Sequence, residues 1–356
     1  MLNFTKYFIF IVFYFFYTSN IYAINNNHQF IAVKSLESSN IKIKKLLEEK
    51  NTSQFILELP NGVVINEGGV LTEEGYILQD TQTSTGDQHR LVNKKRDINE
   101  ENPLYFKGKL AVISSPGSEN WYHWLLQVLP RLIILKESNF EYDRIYVNNL
   151  KYQWQIKSLE VVLNYLNISE DKLLVVNSDC IIQASNLIVP SVPFIPVKGT
   201  ALPFWLKKDL RNIFLKNNKD DIKTYDKIYI SRKYASSRKI INEEKLIEEI
   251  EKIGFKVIYL ELLSPHEQAQ IFNKAKIIIG IHGSGFANLI FATPKCKVVE
   301  IDHGTNPPRS FYKRMANYMS CDYYPYYVDQ TTEEHLEDDI KIDINKFMKF
   351  FNDLDK

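Results

Sequence analysis

Past Leu110 the chain repeats one alternation of hydrophobic and polar positions. A short aliphatic run comes first, then a longer segment whose apolar residues recur every three or four positions. The run reads as a strand buried on both faces, the longer segment as a helix with one buried stripe. Strands are predicted at Leu110–Ile113, Arg144–Val147, Leu173–Val176, Ile181-Ile182 with Leu187–Val189, Lys227–Ser231, Phe255–Leu260, Ile277–Ile279 and Lys297–Ile301. Helices are predicted over Trp121–Leu132, kinked at Pro130, and over Gln155–Tyr165, Leu202–Leu215 and Asn242–Ile253. A further helix opens at Ser264-Pro265-His266-Glu267, a capping box with proline in its first turn. Strands alternating with helices predict a parallel, doubly wound sheet, and the alternation occurs twice. Pro190, Pro193 and Pro196 mark the expected boundary, giving domains over 24–200 and 201–330 and a helical tail over 331–356.

The chain is organised around Lys276–Asp302. Its strand ends at Gly280, and Gly283 and Gly285 take the backbone through a tight turn. Ser284 is the expected N-cap of a helix running to about Thr293, where Pro294 stops it. The following strand carries the acidic pair Glu300 and Asp302. Such a unit sets a helix start at the sheet's carboxyl edge, a place suited to a diphosphate. The glycines lack the third member of the dinucleotide fingerprint, and no P-loop Lys-Ser/Thr follows. Position 282 is His, where a serine-hydrolase elbow needs Gly. His282 is either a hydrogen-bonded turn residue or one that faces a ligand.

Ahead of Leu110, residues 24–103 read as short strands and loops, with candidates at Phe55–Leu59, Val63–Ile65 and Tyr76–Leu78 and an exposed polar tract at Asp80–Asn102. Met1–Ala23 reads as a signal peptide: Lys6 precedes an apolar run, Tyr7–Tyr17, too short to span a bilayer comfortably. A cleaved signal places the mature chain in the lumen of the endoplasmic reticulum or Golgi, or outside the cell; a retained signal anchor is the alternative, and the one case in which a membrane is a partner. Asn51-Thr52-Ser53 and Asn167-Ile168-Ser169 are glycosylation sequons in that setting. Cys180, Cys296 and Cys321 allow at most one disulfide and show no zinc-ligand spacing.

Composition adds exclusions. The 356 residues are 45% apolar and 24% charged, enough for two cores. Lysine plus arginine at 44 balances aspartate plus glutamate at 43, so no broad footprint for nucleic acid is expected. Two loops carry candidate chemistry. Asn120 and His123 sit at a helix start after a strand, where a neutral imidazole can take a proton from a hydroxyl. Arg232 and Arg238 follow the strand Lys227–Ser231, and their planar forks suit a phosphate held at a neighbouring helix start.

Three ordered motifs carry a resemblance. Asn120-Trp121-Tyr122-His123-Trp124 with Leu129-Pro130-Arg131, then Tyr229-Ile230-Ser231-Arg232 with Arg238 and Asn242, then Gly280-Ile281-His282-Gly283-Ser284-Gly285-Phe286-Ala287-Asn288 with Phe291 and Glu300, resemble glycosyltransferase family 61. The resemblance covers about Leu110 to Tyr327. It implies a GT-B-like α/β fold, two Rossmann-type domains facing a cleft, with an acceptor-side first domain and the donor in the second. It also implies inverting transfer of a sugar, GlcNAc or a pentose such as xylose, from a UDP-sugar to a hydroxyl of a protein or glycan. Arg232, Arg238, His282, Gly283, Ser284, Gly285, Asn288 and Glu300 would hold the donor, Glu300 through the ribose. Asn120 and His123 would serve the acceptor, with His123 as base and Arg232 offsetting charge on the departing diphosphate in place of a metal. No cofactor beyond the UDP-sugar co-substrate is expected. Several members carry an acidic residue a few positions after the His; this chain has Gln127, which favours the alternative of a catalytically inactive glycan- or nucleotide-binding protein.

Overall fold

A computed structural model describes residues 42–78, 97–193 and 202–354, apart from 50–51, 66–67, 77, 99–101, 149, 178, 217–221, 305–308 and 331–337. The expected signal segment, the sequon Asn51, Pro196 and most of the tract Asp80–Asn102 lie outside the described residues. The chain divides into two compact units, Met1–Thr200 and Ala201–Lys356. Among the described residues no helix is long and apolar enough to cross a membrane.

The first unit holds an eight-stranded mixed sheet. Its strands are β1 (Lys42–Glu49), β2 (Thr52–Pro60), β3 (Val63–Ile65), β4 (Gly69–Leu71), β5 (Leu104–Val112), β6 (Arg144–Asn148), β7 (Leu173–Val176) and β8 (Ile182–Pro190). The order is β1-β2-β8-β5-β6-β7, with β3 pairing β8 and β4. Neighbours from β8 to β7 are parallel, whereas β1, β2 and β3 join by antiparallel pairing. Of the expected strand Tyr76–Leu78, the described residues Tyr76 and Leu78 lie in no strand. Leu78 and Tyr76 bond back to Val70 and Thr72 around β4, which supplies the ladder instead. The helix after β5 begins as α1 (Trp121–His123), widens into a π turn at Trp124–Val128 and continues as α2 (Leu129–Ser138). Pro130 therefore sits in the first turn of α2, where its missing N–H is absorbed by the wide turn before it. A long helix, α3 (Gln153–Leu166), follows β6.

The second unit holds a five-stranded sheet, β10-β9-β11-β12-β13, parallel throughout. The strands are β9 (Lys227–Ile230), β10 (Lys256–Ile258), β11 (Ile277–Ile281), β12 (Lys297–Gly304) and β13 (Asp322–Gln330), with helices α4 (Phe204–Leu215), α5 (Glu243–Lys252), α6 (Pro265–Lys274), α7 (Phe311–Tyr318) and α8 (Ile344–Leu354). The capping box at Ser264 and Glu267 forms as expected. In this order the chain runs outward in opposite directions from β9 and β11, a switch point whose carboxyl end is open to ligands. β13 is an edge strand, which is why Pro325 is tolerated opposite Glu300. Phe347 and Phe351 of α8 share a core with Leu246, Ile250, Val299 and Tyr326. Ile340, Ile342 and the α8 residues Phe347 and Phe351 thus complete this unit's apolar interior.

The segment after β11 departs from expectation. It is a 3-10 helix, Ser284–Phe291, and its N-cap is Gly283, with no side-chain capping bond, instead of the expected Ser284. Residues from Phe286 to Phe291 are all buried, and because a 3-10 helix rises about 2.0 Å per residue against about 1.5 Å in an α-helix, the short segment reaches further along the connection between two adjacent strands.

Candidate functional site

Arg232 and Gly283 leave the carboxyl ends of β9 and β11, which are hydrogen-bonded neighbours. A Cβ built on Gly283 would lie 2.1 Å from Arg232 Nη1. The Gly283 backbone is extended (φ 173°), so the glycine is required by space and not by conformation. Arg232 also donates from Nε and Nη2 to the Ser237 carbonyl, at 3.3 and 2.9 Å. That bond curls the loop back on itself, and Arg238 closes it in the left-handed region at φ 56°. Both arginines are half-buried.

Tyr312 of α7, buried beside this turn, has its ring 5.0 Å from that of His282 and 5.4 Å from that of Phe286. Burial pushes its hydroxyl upward in pKa, as does the charge of Glu300, while Arg238, Arg232 and Arg309 pull the other way. The phenol thus lies within the electrostatic reach of three guanidinium groups and one carboxylate. Nothing in the sequence pattern singles out Tyr312 or Arg309; only the fold brings them to the glycine turn.

His282 is tied to β12. Its Nδ1 lies 2.5 Å from Glu300 Oε1, and the Tyr323 hydroxyl of β13 donates to Glu300 Oε2. Glu300 is 2% exposed, so both oxygens have protein partners in a site that excludes bulk water. Nδ1 donates to the carboxylate, which leaves His282 Nε2 as the free ring nitrogen. Two strand positions on, Asp302 accepts from Arg309 Nε at 3.0 Å and from Nη2. One ligand atom each from His282, Glu300 and Asp302 lie within 4.8 Å of one another, close enough for one divalent ion. The donor set fits a metal less well than the distances suggest, because Arg309, Tyr323 and His282 already engage all four carboxylate oxygens.

The other expected donor residues divide. Ser284 is half-buried at the turn. Gly285 faces packing instead of charge, since a Cβ there would meet Leu260 Cδ1 at 2.6 Å. Asn288, expected to touch the donor, is fully buried and donates to Gln268 Oε1 at 2.8 Å; it fastens the 3-10 helix to α6 from inside. Glu300, expected to receive the ribose, is instead hydrogen-bonded within the protein at both oxygens, so in this structure it positions His282.

In the first unit Asn120 caps α1, accepting from the Tyr122 N–H at 2.9 Å. One turn on, His123 Nδ1 lies 2.6 Å from Gln127 Oε1. The amide oxygen accepts, so Nδ1 carries the hydrogen and Nε2 holds the lone pair. Burial lowers the His123 pKa from the ordinary 6.5, offset only in part by Gln127. The ring is thus a neutral base at pH 7. Arg131 is wholly buried and reaches back to the Ser114 carbonyl at 2.8 Å, anchoring the loop between β5 and α1. With no water around it, its pKa falls to about 9.

The second unit defines a class: an α/β protein whose parallel sheet carries a cationic carboxyl edge. The profile of the family described as Glycosyltransferase 61 matches residues 121–299, just over half of the sequence, and the chain belongs to that family. Over 114 residues it is 31% identical to the beta-1,2-xylosyltransferase XAX1 of Oryza sativa subsp. japonica. That stretch covers 30% of this chain and 20% of the relative.

Proposed function

We propose that the protein is an inverting glycosyltransferase, of GT-B type with two Rossmann-type units, that moves a sugar from a UDP-sugar to a hydroxyl of a protein or glycan. GlcNAc or a pentose such as xylose is the sugar we favour, the latter in keeping with the name of the plant relative. The observation that carries the reading is the Arg232 guanidinium lying against Gly283 at the carboxyl ends of β9 and β11. A diphosphate lying over that turn meets Arg232 and Arg238, the amides at Ser284 and Gly285, and His282 Nε2. Charge that grows on the departing UDP is offset by fixed guanidinium groups, which need no reorganisation as the bond breaks. His123 takes the acceptor proton through its free Nε2, Asn120 shapes the loop beside it, and the acceptor oxygen forms the new glycosidic bond as UDP leaves. Gln127, which on sequence grounds favoured an inactive protein, holds His123 in the neutral tautomer that a base requires.

We also propose that the chain works in the secretory lumen or is secreted, from its leading segment and from Asn167, which is exposed in a left-handed turn at φ 52°. Glycosidase treatment of the chain made in a secreting host should remove mass at Asn167.

The activity is tested with a panel of UDP-sugars scored for UDP release with and without acceptor glycans. Wild-type protein should release UDP from one donor, and Arg232→Ala should lose about 100-fold or more in turnover with unchanged circular dichroism. Release by the variant at the wild-type rate would overturn the assignment.

A further inference from the structure

Beyond the transfer reaction, and independent of it, a second feature of the second unit has chemistry of its own. Cys296 immediately precedes β12 and Cys321 immediately precedes β13. The two strands are parallel neighbours whose register starts at Lys297 opposite Asp322, so the cysteines face each other across the amino edge of the sheet. The backbone is joined on both sides of the pair: Lys295 N donates to Ser320 O at 2.7 Å and Asp322 N to Cys296 O at 2.9 Å. Paired strands set opposed Cα atoms about 5 Å apart, within the span that a disulfide bridges. All three cysteines are reduced in this structure. The Cys321 thiol donates to the Thr293 carbonyl at 3.5 Å and the Cys296 thiol to the Lys297 carbonyl at 3.8 Å, and the influence of each thiol on the other draws the Cys321 pKa down and raises that of Cys296.

There is also a way in. A surface groove of about 370 Å³ is lined by Thr293, Cys296 and the lysines Lys276, Lys295 and Lys297. Cys296 is 2% and Cys321 6% exposed, so the pair lies at the edge of the core, and the lysines draw small anions to the groove that Cys296 borders. Cys180 sits in the first unit, outside the β12–β13 pairing that sets the other two cysteines opposite each other.

We propose that Cys296 and Cys321 form a disulfide modification site, closed by exchange with a small anionic disulfide such as oxidised glutathione. One cysteine thiolate attacks the glutathione disulfide, forming a mixed disulfide and releasing one glutathione thiolate. The neighbouring cysteine, deprotonated, then attacks the protein sulfur of the mixed disulfide and expels the second glutathione. Two protein thiols are oxidised, one external disulfide is reduced to two thiols, and each departing thiolate takes one of the two protons released. The closed loop contains Glu300, Asp302, Arg309 and Tyr312, so the bond ties down the segment that builds the acidic half of the candidate site.

The full chain, purified reduced, is incubated with oxidised glutathione, unfolded, alkylated with iodoacetamide and digested. We expect the peptide bearing Cys296 joined to that bearing Cys321, lighter by two hydrogens than the two reduced peptides together, with Cys180 alkylated. Alkylation of Cys296 and Cys321 to the same extent as in a reduced control, or a bridge to Cys180, overturns the proposal. Cys180→Ser, which keeps the pair and removes the competitor, should give the same bridge and a higher urea midpoint when oxidised; an unchanged midpoint would refute the restraint on the loop.

Discussion

Two glycines with a single residue between them in the same turn have different physical causes, and substitution separates them. Gly283→Ala puts a methyl group where Arg232 Nη1 now lies. The side-chain end can swing away, so the fold should survive while donor turnover drops about tenfold or more. Gly285→Ala drives the same methyl group into Leu260 Cδ1, an overpacking that should cost about 1–3 kcal/mol of stability. Thermal melts set beside UDP-release rates distinguish the two; matching profiles for both variants would remove the special standing of Gly283. His123 supports a pH argument. Its burial keeps the imidazole neutral, so turnover should fall only as pH drops below the ordinary histidine value, 6.5. Gln127→Glu adds a carboxylate beside Nδ1, which favours the imidazolium and should move the acid limb of the pH–rate profile upward. A limb that stays in place would show that His123 is not the titrating base.

At the scale of elements, β12 and β13 act together. β12 presents Glu300 and Asp302, and β13 supplies Tyr323, whose hydroxyl bonds to Glu300. Tyr323→Phe removes that donor without emptying the space, and His282 loses part of its support. Turnover should fall about three- to tenfold with little change in melting temperature, as expected for a residue acting through another; a variant indistinguishable from wild type would detach Tyr323 from the site. In the first unit Arg131 gives the reverse signature. Its guanidinium satisfies the Ser114 carbonyl inside the core, so Arg131→Met should lower stability by about 2–3 kcal/mol. Urea denaturation measures this.

For the whole molecule, the decisive feature is the strand order of the second sheet, which makes β9 and β11 neighbours. That adjacency joins Arg232 to a glycine turn about fifty residues away in sequence. Because the carboxylate oxygens near His282 are already engaged by protein donors, UDP release should persist in EDTA; complete loss restored by a divalent ion would recast His282, Glu300 and Asp302 as metal ligands.

Much of this was legible in the chain. The strands Leu173–Val176 and Lys227–Ile230, the capping box at Ser264 and the helix through Leu246 and Ile250 follow from local periodicity and capping, which act over a few residues. Motif order pointed to the family. Other features were settled only by packing over long sequence distances. The segment after the glycine turn winds as a 3-10 helix because a few apolar residues must bridge β11 and β12 while staying buried, and that winding covers more length per residue. Asn288 lies inside because Gln268 of α6 meets it there. Glu300 is bonded to His282 and Tyr323 because parallel pairing brings β11 and β13 to either side of β12. Sequence determined which residues can carry charge, accept a proton or turn sharply, since those are properties of single side chains and their near neighbours. Tertiary structure decided which of them meet, since proximity across a sheet depends on strand order and register, which no local pattern contains.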